Sequence, residues 1–139
     1  MRESSWGMQT PPWRGGRRDP ATGRTHWNAE RGRLALDVGP LDWRGFRTLN
    51  IQIIVPERTG GRVRLDILGC EEEPIAHAII PIDWVGEKTL HLPLEELGRP
   101  LEDECWHLVH ALELSCEPPG PCPTELILGA MEVTTEVLT

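Results

Sequence analysis

The chain has 139 residues, with fourteen lysines and arginines against twenty-two acids and a formal charge of −8. That size suits one domain able to bury a core without metal or disulfide support, and no apolar run approaches the roughly 18 residues of a membrane-spanning helix. Residues 1–33 hold seven arginines against three acids, net +4, and residues 34–139 hold seven cations against nineteen acids, net −12; so acidic a body argues against nucleic acid as a partner.

Residues 1–32 are rich in Gly, Pro and Arg and read as a basic, irregular segment packed on or flanking a single β-sandwich domain. Within it a strand is expected near Ser5–Gln9 and another around Thr25–Asn28, separated by a long loop. A basic arm on an acidic body either folds back onto it or seeks an anionic partner. Met1–Trp6 lacks the apolar core of a signal peptide. The expected location is therefore cytoplasmic if the sequence is complete, and extracellular if it is a module cut from a secreted parent.

From Arg33 onward the apolar period is two, the signature of strands. Leu34, Leu36 and Val38 alternate, as do Leu49, Ile51, Ile53 and Val55. Pro56–Gly61 reads as a hairpin loop, followed by Val63, Leu65 and Ile67. Ala76, Ala78, Ile80 and Ile82 alternate with Ile75, His77 and Ile79, a pattern for a strand covered on both faces. Leu90, Leu92 and Leu94 follow, then one helical turn at Leu94–Leu97. Leu108, His110, Leu112 and Leu114 form another alternating set, and Thr124–Thr134 is the last long strand. Eight or nine strands with regular turn signals, and no sustained helical period, specify an all-β, two-sheet antiparallel sandwich.

One motif occurs twice. Leu41-Asp42-Trp43-Arg44-Gly45-Phe46-Arg47-Thr48-Leu49 is echoed by Ile82-Asp83-Trp84-Val85-Gly86-Glu87-Lys88-Thr89-Leu90. Asp starts a turn by accepting backbone N–H bonds, Gly supplies positive φ, and Trp caps the end of an apolar layer. Each copy is expected to be a corner that feeds a strand.

The second copy, continued through Leu97, resembles a conserved stretch of galactose-binding-like jelly-roll domains, which occur as carbohydrate-binding modules and as non-catalytic domains beside polysaccharide lyases and glycosidases. Leu41–Val55 and Thr124–Val133 resemble two further strands of the same domains. The resemblance implies a jelly roll, a polysaccharide or oligosaccharide ligand, no catalysis, and attachment to a catalytic domain in a longer parent. Two residues depart from the pattern. Glu87 stands where an aromatic is usual, and Ala130 stands where an Asp often helps hold a structural calcium. That calcium is therefore in doubt, and no cofactor is expected.

The candidate carbohydrate-binding residues are Trp13, Trp27, Arg17, Arg18, Asn50, Gln52, Arg64 and Asp66. The two tryptophans sit in the irregular arm, where accessible rings could stack on sugar. The arginines could pair carboxylate or sulfate groups bidentately, which points to an acidic polysaccharide. Asn50/Gln52 and Arg64/Asp66 form polar rows on consecutive expected strands and could floor a groove, or equally form a solvated face. Trp43, Trp84 and Trp106 are expected in corners or core. His107 and His110, three apart on a strand, face opposite sides and cannot share a metal. No nucleophile–base arrangement, paired carboxylates or phosphate loop is legible, so a catalytic reading has no motif behind it. The rival to sugar binding is a structural or protein-interaction domain without a sugar site. Cys70, Cys105, Cys116 and Cys122 contain no C-x-x-C pair. Cys116 and Cys122 bracket a Pro-Gly loop that a disulfide would staple in an oxidising compartment.

Overall fold

The computed structural model describes residues 5–69, 71, 73–97, 108–118 and 120–135. Among them run ten strands: β1 (Ser5–Met8), β2 (Arg17–Arg18), β3 (Thr25–Trp27), β4 (Leu34–Leu41), β5 (Thr48–Val55), β6 (Arg62–Gly69), β7 (Pro74–Pro81), β8 (Gly86–Pro93), β9 (Val109–Cys116) and β10 (Leu126–Thr134). A single 3-10 turn, Leu94–Glu96, follows β8. One sheet has the order β2-β3-β10-β5-β8, with β1 also paired to β10; the other has the order β4-β9-β6-β7. Every pairing is antiparallel. The all-β sandwich expected from the period of two is thus observed.

The alternation explains how the layers meet. Leu49, Ile51, Ile53 and Val55 of β5 are fully buried, as are Val63, Leu65 and Ile67 of β6, Leu112 and Leu114 of β9, and Leu126, Leu128 and Val133 of β10. Side chains one residue apart on a strand point to opposite faces, so these rows face one another and form the core. Burying one such side chain contributes roughly 1.5–3 kcal/mol. Leu90 and Leu92 were expected in the same layer but are only half-buried. β8 is the last strand of its sheet, and its inward row is covered on one side only.

Both copies of the repeated motif are turns that enter strands. The Arg44 N–H donates to Asp42 Oδ1 at 2.9 Å, and the Phe46 N–H to the Trp43 carbonyl at 3.0 Å. Gly45 and Gly86 share a φ of 97°, in the region where only glycine is unstrained. The strands they feed, β5 and β8, are paired neighbours, Thr48 opposite Pro93 and Val55 opposite Gly86.

Four local expectations are corrected. Pro56–Gly61 is no hairpin loop: β5 and β6 lie in different sheets, so the loop crosses from one layer to the other. Strand β7 is not covered on both faces, because it edges its sheet and Ile79 is exposed. At the start of β9 the buried residue is Val109, while Leu108 is exposed and His110 half-buried; a register irregularity between Asp37 and Leu41 shifts the pairing there. The N-terminal arm holds the two expected strands, β1 and β3, but is less irregular than expected, since it adds β2 and buries Trp13, Trp27 and Ala29 in the core. Trp106, His107, Cys70 and Cys105 lie outside the described residues.

Cys116 and Cys122 are bonded, with Cα atoms 5.5 Å apart. The staple shapes the crossover from β9 to β10, whose Pro123 carbonyl accepts the Ala29 N–H at 3.0 Å. Closing a seven-residue loop in the unfolded chain is worth about 2 kcal/mol. Urea melts of the Cys116→Ser/Cys122→Ser variant are expected to show a loss of that size. An unchanged midpoint would mean that the crossover is held by its other contacts alone.

Candidate functional site: the outer face of the six-stranded sheet

Residues directly paired across an antiparallel ladder share a face. The outward row of β5 is Thr48, Asn50, Gln52 and Ile54; opposite it on β8 stand Pro93, His91, Thr89 and Glu87. On the other side, β10 places Glu132 opposite Asn50 and Ile127 opposite Ile54. Ile127 in turn faces His26 of β3, and His26 faces Arg17 of β2. A continuous row Arg17–His26–Ile127–Ile54–Glu87 therefore crosses the sheet. Its four inter-strand steps span about 19 Å, with two aliphatic side chains in the middle and polar groups at both ends.

Beside this row the polar side chains hold one another. His91 Nδ1 lies 2.7 Å from Asn50 Oδ1; since an amide oxygen only accepts, the imidazole carries its proton on Nδ1. Asn50 Nδ2 donates to Glu132 at 3.4 Å. Gln52 Nε2 donates to Glu87, and its Oε1 accepts the Ala130 N–H at 3.3 Å. A Cβ on Gly129 would overlap Gln52 Oε1, so the glycine at the β10 bulge makes room for the amide. Arg24, just before β3, reaches Glu87 at 3.5 Å. Asn50 is buried and Gln52 half-buried. The result is a set of amides, carboxylates and an imidazole in fixed positions, each with hydrogen-bonding capacity beyond the bonds named.

At the β2–β3 end the face opens into a cavity of about 380 Å³, whose lining includes Gly16, Arg17, His26, Asn28, Arg31 and Glu125. His26 Nδ1 lies 3.2 Å from Glu125 Oε1. In the turn joining β2 to β3, the Ala21 N–H donates to Asp19 and holds its carboxyl below the usual range. That contribution is present above the ordinary carboxylate pKa and is lost as pH falls through the lowered one.

The residues singled out from sequence do not form one site. Trp13 is 5% exposed and Trp27 is 2% exposed; both rings are core, and stacking on sugar is corrected accordingly. Arg64 and Asp66 pair with each other at 3.0 Å on the outward row of β6. The outward faces of two packed sheets point away from one another, so Asn50 and Gln52 cannot floor a groove with Arg64 and Asp66. Arg17 reaches the cavity, whereas Arg18 bonds the Thr10 carbonyl at 3.5 Å. Much of the arm's charge does fold back: Arg14 pairs Asp37 at 3.0 Å and Arg33 pairs Glu113 at 2.6 Å. These exposed pairs are each worth well under about 1 kcal/mol.

Sequence reasoning missed Arg24, His26, Arg31, Glu87, His91 and Glu132. The signal for two of them was present. His91 lies between Leu90 and Leu92, and Glu87 lies three residues before Leu90, so strand parity alone turns both outward. What was not legible was the partner strand. Among the described residues no cluster of three or more His, Cys, Asp or Glu could hold a metal ion, and no helix is long and apolar enough to cross a membrane.

Two antiparallel sheets with this order make a β-sandwich of the jelly-roll type. No family model matches the sequence, and no curated protein matches it by sequence. Solved structures do match. PfGH50B superposes with a TM-score of 0.65 at 9% identity over 92% of this chain, which spans only 23% of that one. The C-terminal CBM6 of LamC, a marine laminarinase from Zobellia galactanivorans, gives 0.54 at 8% identity, covering 94% of this chain and 98% of that one. The family 11 carbohydrate-binding module of the cellulase Lic26A-Cel5E of Clostridium thermocellum gives 0.51 at 10%, covering 94% and 85%. At such identities the likeness is one of fold.

Proposed function

We propose that this domain is a non-catalytic polysaccharide-binding module whose ligand lies across the outer face of the six-stranded sheet and carries acidic groups. The observation that carries the reading is the preset row of Asn50, Gln52, Glu87, His91 and Glu132 beside the aliphatic pair Ile54 and Ile127. Carboxylates and amide oxygens accept hydroxyl protons, amide N–H groups donate, and the aliphatic pair suits the apolar face of a sugar ring. Holding these groups in place beforehand lowers the ordering cost of binding. Solved modules of the same fold that are carbohydrate-binding by name support the reading. The acidic part is supported by Arg17 and Arg31, which line the cavity at the β2–β3 end of this face.

The test is a panel of neutral and acidic polysaccharides screened by affinity electrophoresis, followed by titration calorimetry of the best oligosaccharide. The double variant Asn50→Ala/Gln52→Ala is expected to weaken it by roughly tenfold, since two net hydrogen bonds are worth about 1–3 kcal/mol. The same change removes the bonds to His91, Glu132, Glu87 and the Ala130 N–H, so the variant's melting temperature should also fall, and affinity is compared at a temperature where both proteins are folded. The rival reading, an assembly domain without a sugar site, expects no retardation on any polysaccharide.

A further inference from the structure

The cavity at the β2–β3 end of the sheet brings together two arginines, Arg17 and Arg31, and one carboxylate, Glu125. Arg17 and Arg31 both line it, and neither side chain makes an ion pair or hydrogen bond with a described residue. Arg14, Arg24 and Arg33 of the same segment are by contrast ion-paired. The neighbouring carboxylate, Glu125, is engaged with His26 instead.

The cations stand on braced backbone. The Arg31 N–H bonds the Asn28 carbonyl at 3.0 Å, and Asn28 Oδ1 accepts the Glu30 N–H at 2.9 Å, which closes the turn that presents Arg31. The indole N–H of buried Trp27 ties that turn at the Gly32 carbonyl, 2.9 Å away. The Ala29 N–H ties it to Pro123, one residue past the stapled Cys122. Arg17 is fixed by the β2–β3 ladder, opposite His26. Gly15 and Gly16 line the same cavity; Gly15 has a φ of 105°, and a Cβ on Gly16 would strike the His26 carbonyl and Thr25. Two planar donors that line one cavity, each on a braced backbone support, suit a planar or tetrahedral oxyanion.

We infer that this cavity is an oxyanion pocket that receives one charged substituent of an acidic sugar, a carboxylate or a sulfate ester. The inference rests on the polysaccharide reading for the identity of the ligand, because Arg17 and His26 continue the row that crosses the sheet. The pocket itself is defined by its own cations and is tested separately. Arg31, absent from the sequence candidates, carries as much of the recognition as Arg17.

The experiment follows amide and arginine Nε–H NMR shifts of the whole chain during titration with glucuronate, with galactose 6-sulfate, and with glucose and galactose as neutral controls. One or both charged sugars should shift Arg17, Arg31 and Gly16, with weak affinity that falls as salt rises, since exposed charges are screened within about 8–10 Å. The neutral sugars should leave these signals in place. Preference for glucuronate assigns the pocket to carboxylates, and preference for the sulfate assigns it to sulfate esters. Arg17→Gln and Arg31→Gln should each weaken the charged sugar at least fivefold, with melting temperatures near that of wild type. Asn50→Ala/Gln52→Ala should leave this monosaccharide response unchanged. No shift with either charged sugar, or equal affinity in the Arg31→Gln protein, overturns the pocket. A charged monosaccharide that binds here while no polysaccharide binds the sheet face overturns the polysaccharide reading and leaves the pocket standing.

Discussion

Replacing Trp27 by Ala should destabilise the domain by roughly 3–5 kcal/mol, the range for removing a large aromatic from a core. The ring is 2% exposed and lies on the inward row of β3, opposite Leu126 of β10. The substitution removes that packing and leaves the Gly32 carbonyl without the indole N–H. The turn that carries Arg31 then loses one of its two anchors. Trp27→Phe keeps much of the apolar volume but loses the hydrogen bond and part of the bicyclic ring, so its cost should be smaller, about 2–3 kcal/mol. Urea denaturation of both variants checks the ordering. A sugar-stacking role predicts the reverse, with stability intact and ligand affinity lost. A cost for Trp27→Ala below about 1 kcal/mol would remove the ring from the core and return it to the candidate site.

The period of two made the layers legible, because a strand with one buried face must alternate. That is why Leu49, Ile51, Ile53, Val63, Leu65, Ile67, Leu112 and Leu114 could be placed inward from sequence. The site was less legible because it depends on which strands are neighbours. Asn50 and Arg64 are fourteen positions apart and sit on opposite outer faces, whereas Asn50 and Glu132 are eighty-two apart and hydrogen-bonded. The crossover at Pro56–Gly61 hid this, since its Pro and Gly residues suit a hairpin and a sheet-to-sheet connection alike. The arm misled for a different reason. Its strands are only four, two and three residues long, too short for periodicity to show which face is buried, so Trp13 and Trp27 read as accessible. Arg31 escaped because its importance lies in having no partner, which only coordinates reveal.

The repeated Asp-Trp-x-Gly motif should cost unequal amounts when the same change is made in each copy. In the structure Trp43 is 1% exposed, while Trp84 is only half-buried, with its N–H on the Gly86 carbonyl at 3.0 Å and Lys88 Nζ 5.0 Å from the ring centre. The first copy feeds β5, an interior strand; the second feeds β8, an edge strand. A corner beside an interior strand is covered from both sides, and a corner beside an edge strand is not. Trp43→Ala should therefore cost about 3–5 kcal/mol, and Trp84→Ala less than about 2 kcal/mol, in proportion to the smaller apolar area removed from water. The glycines behave differently, because their role is set by backbone rather than by cover. Gly45 and Gly86 share a φ of 97°, so Gly45→Ala and Gly86→Ala should each cost about 1–2 kcal/mol through the same left-handed strain. Equilibrium unfolding of the four single variants separates the two effects. Matching losses for the two tryptophans, or clearly different losses for the two glycines, would mean that the corners are not one device used in two burial environments.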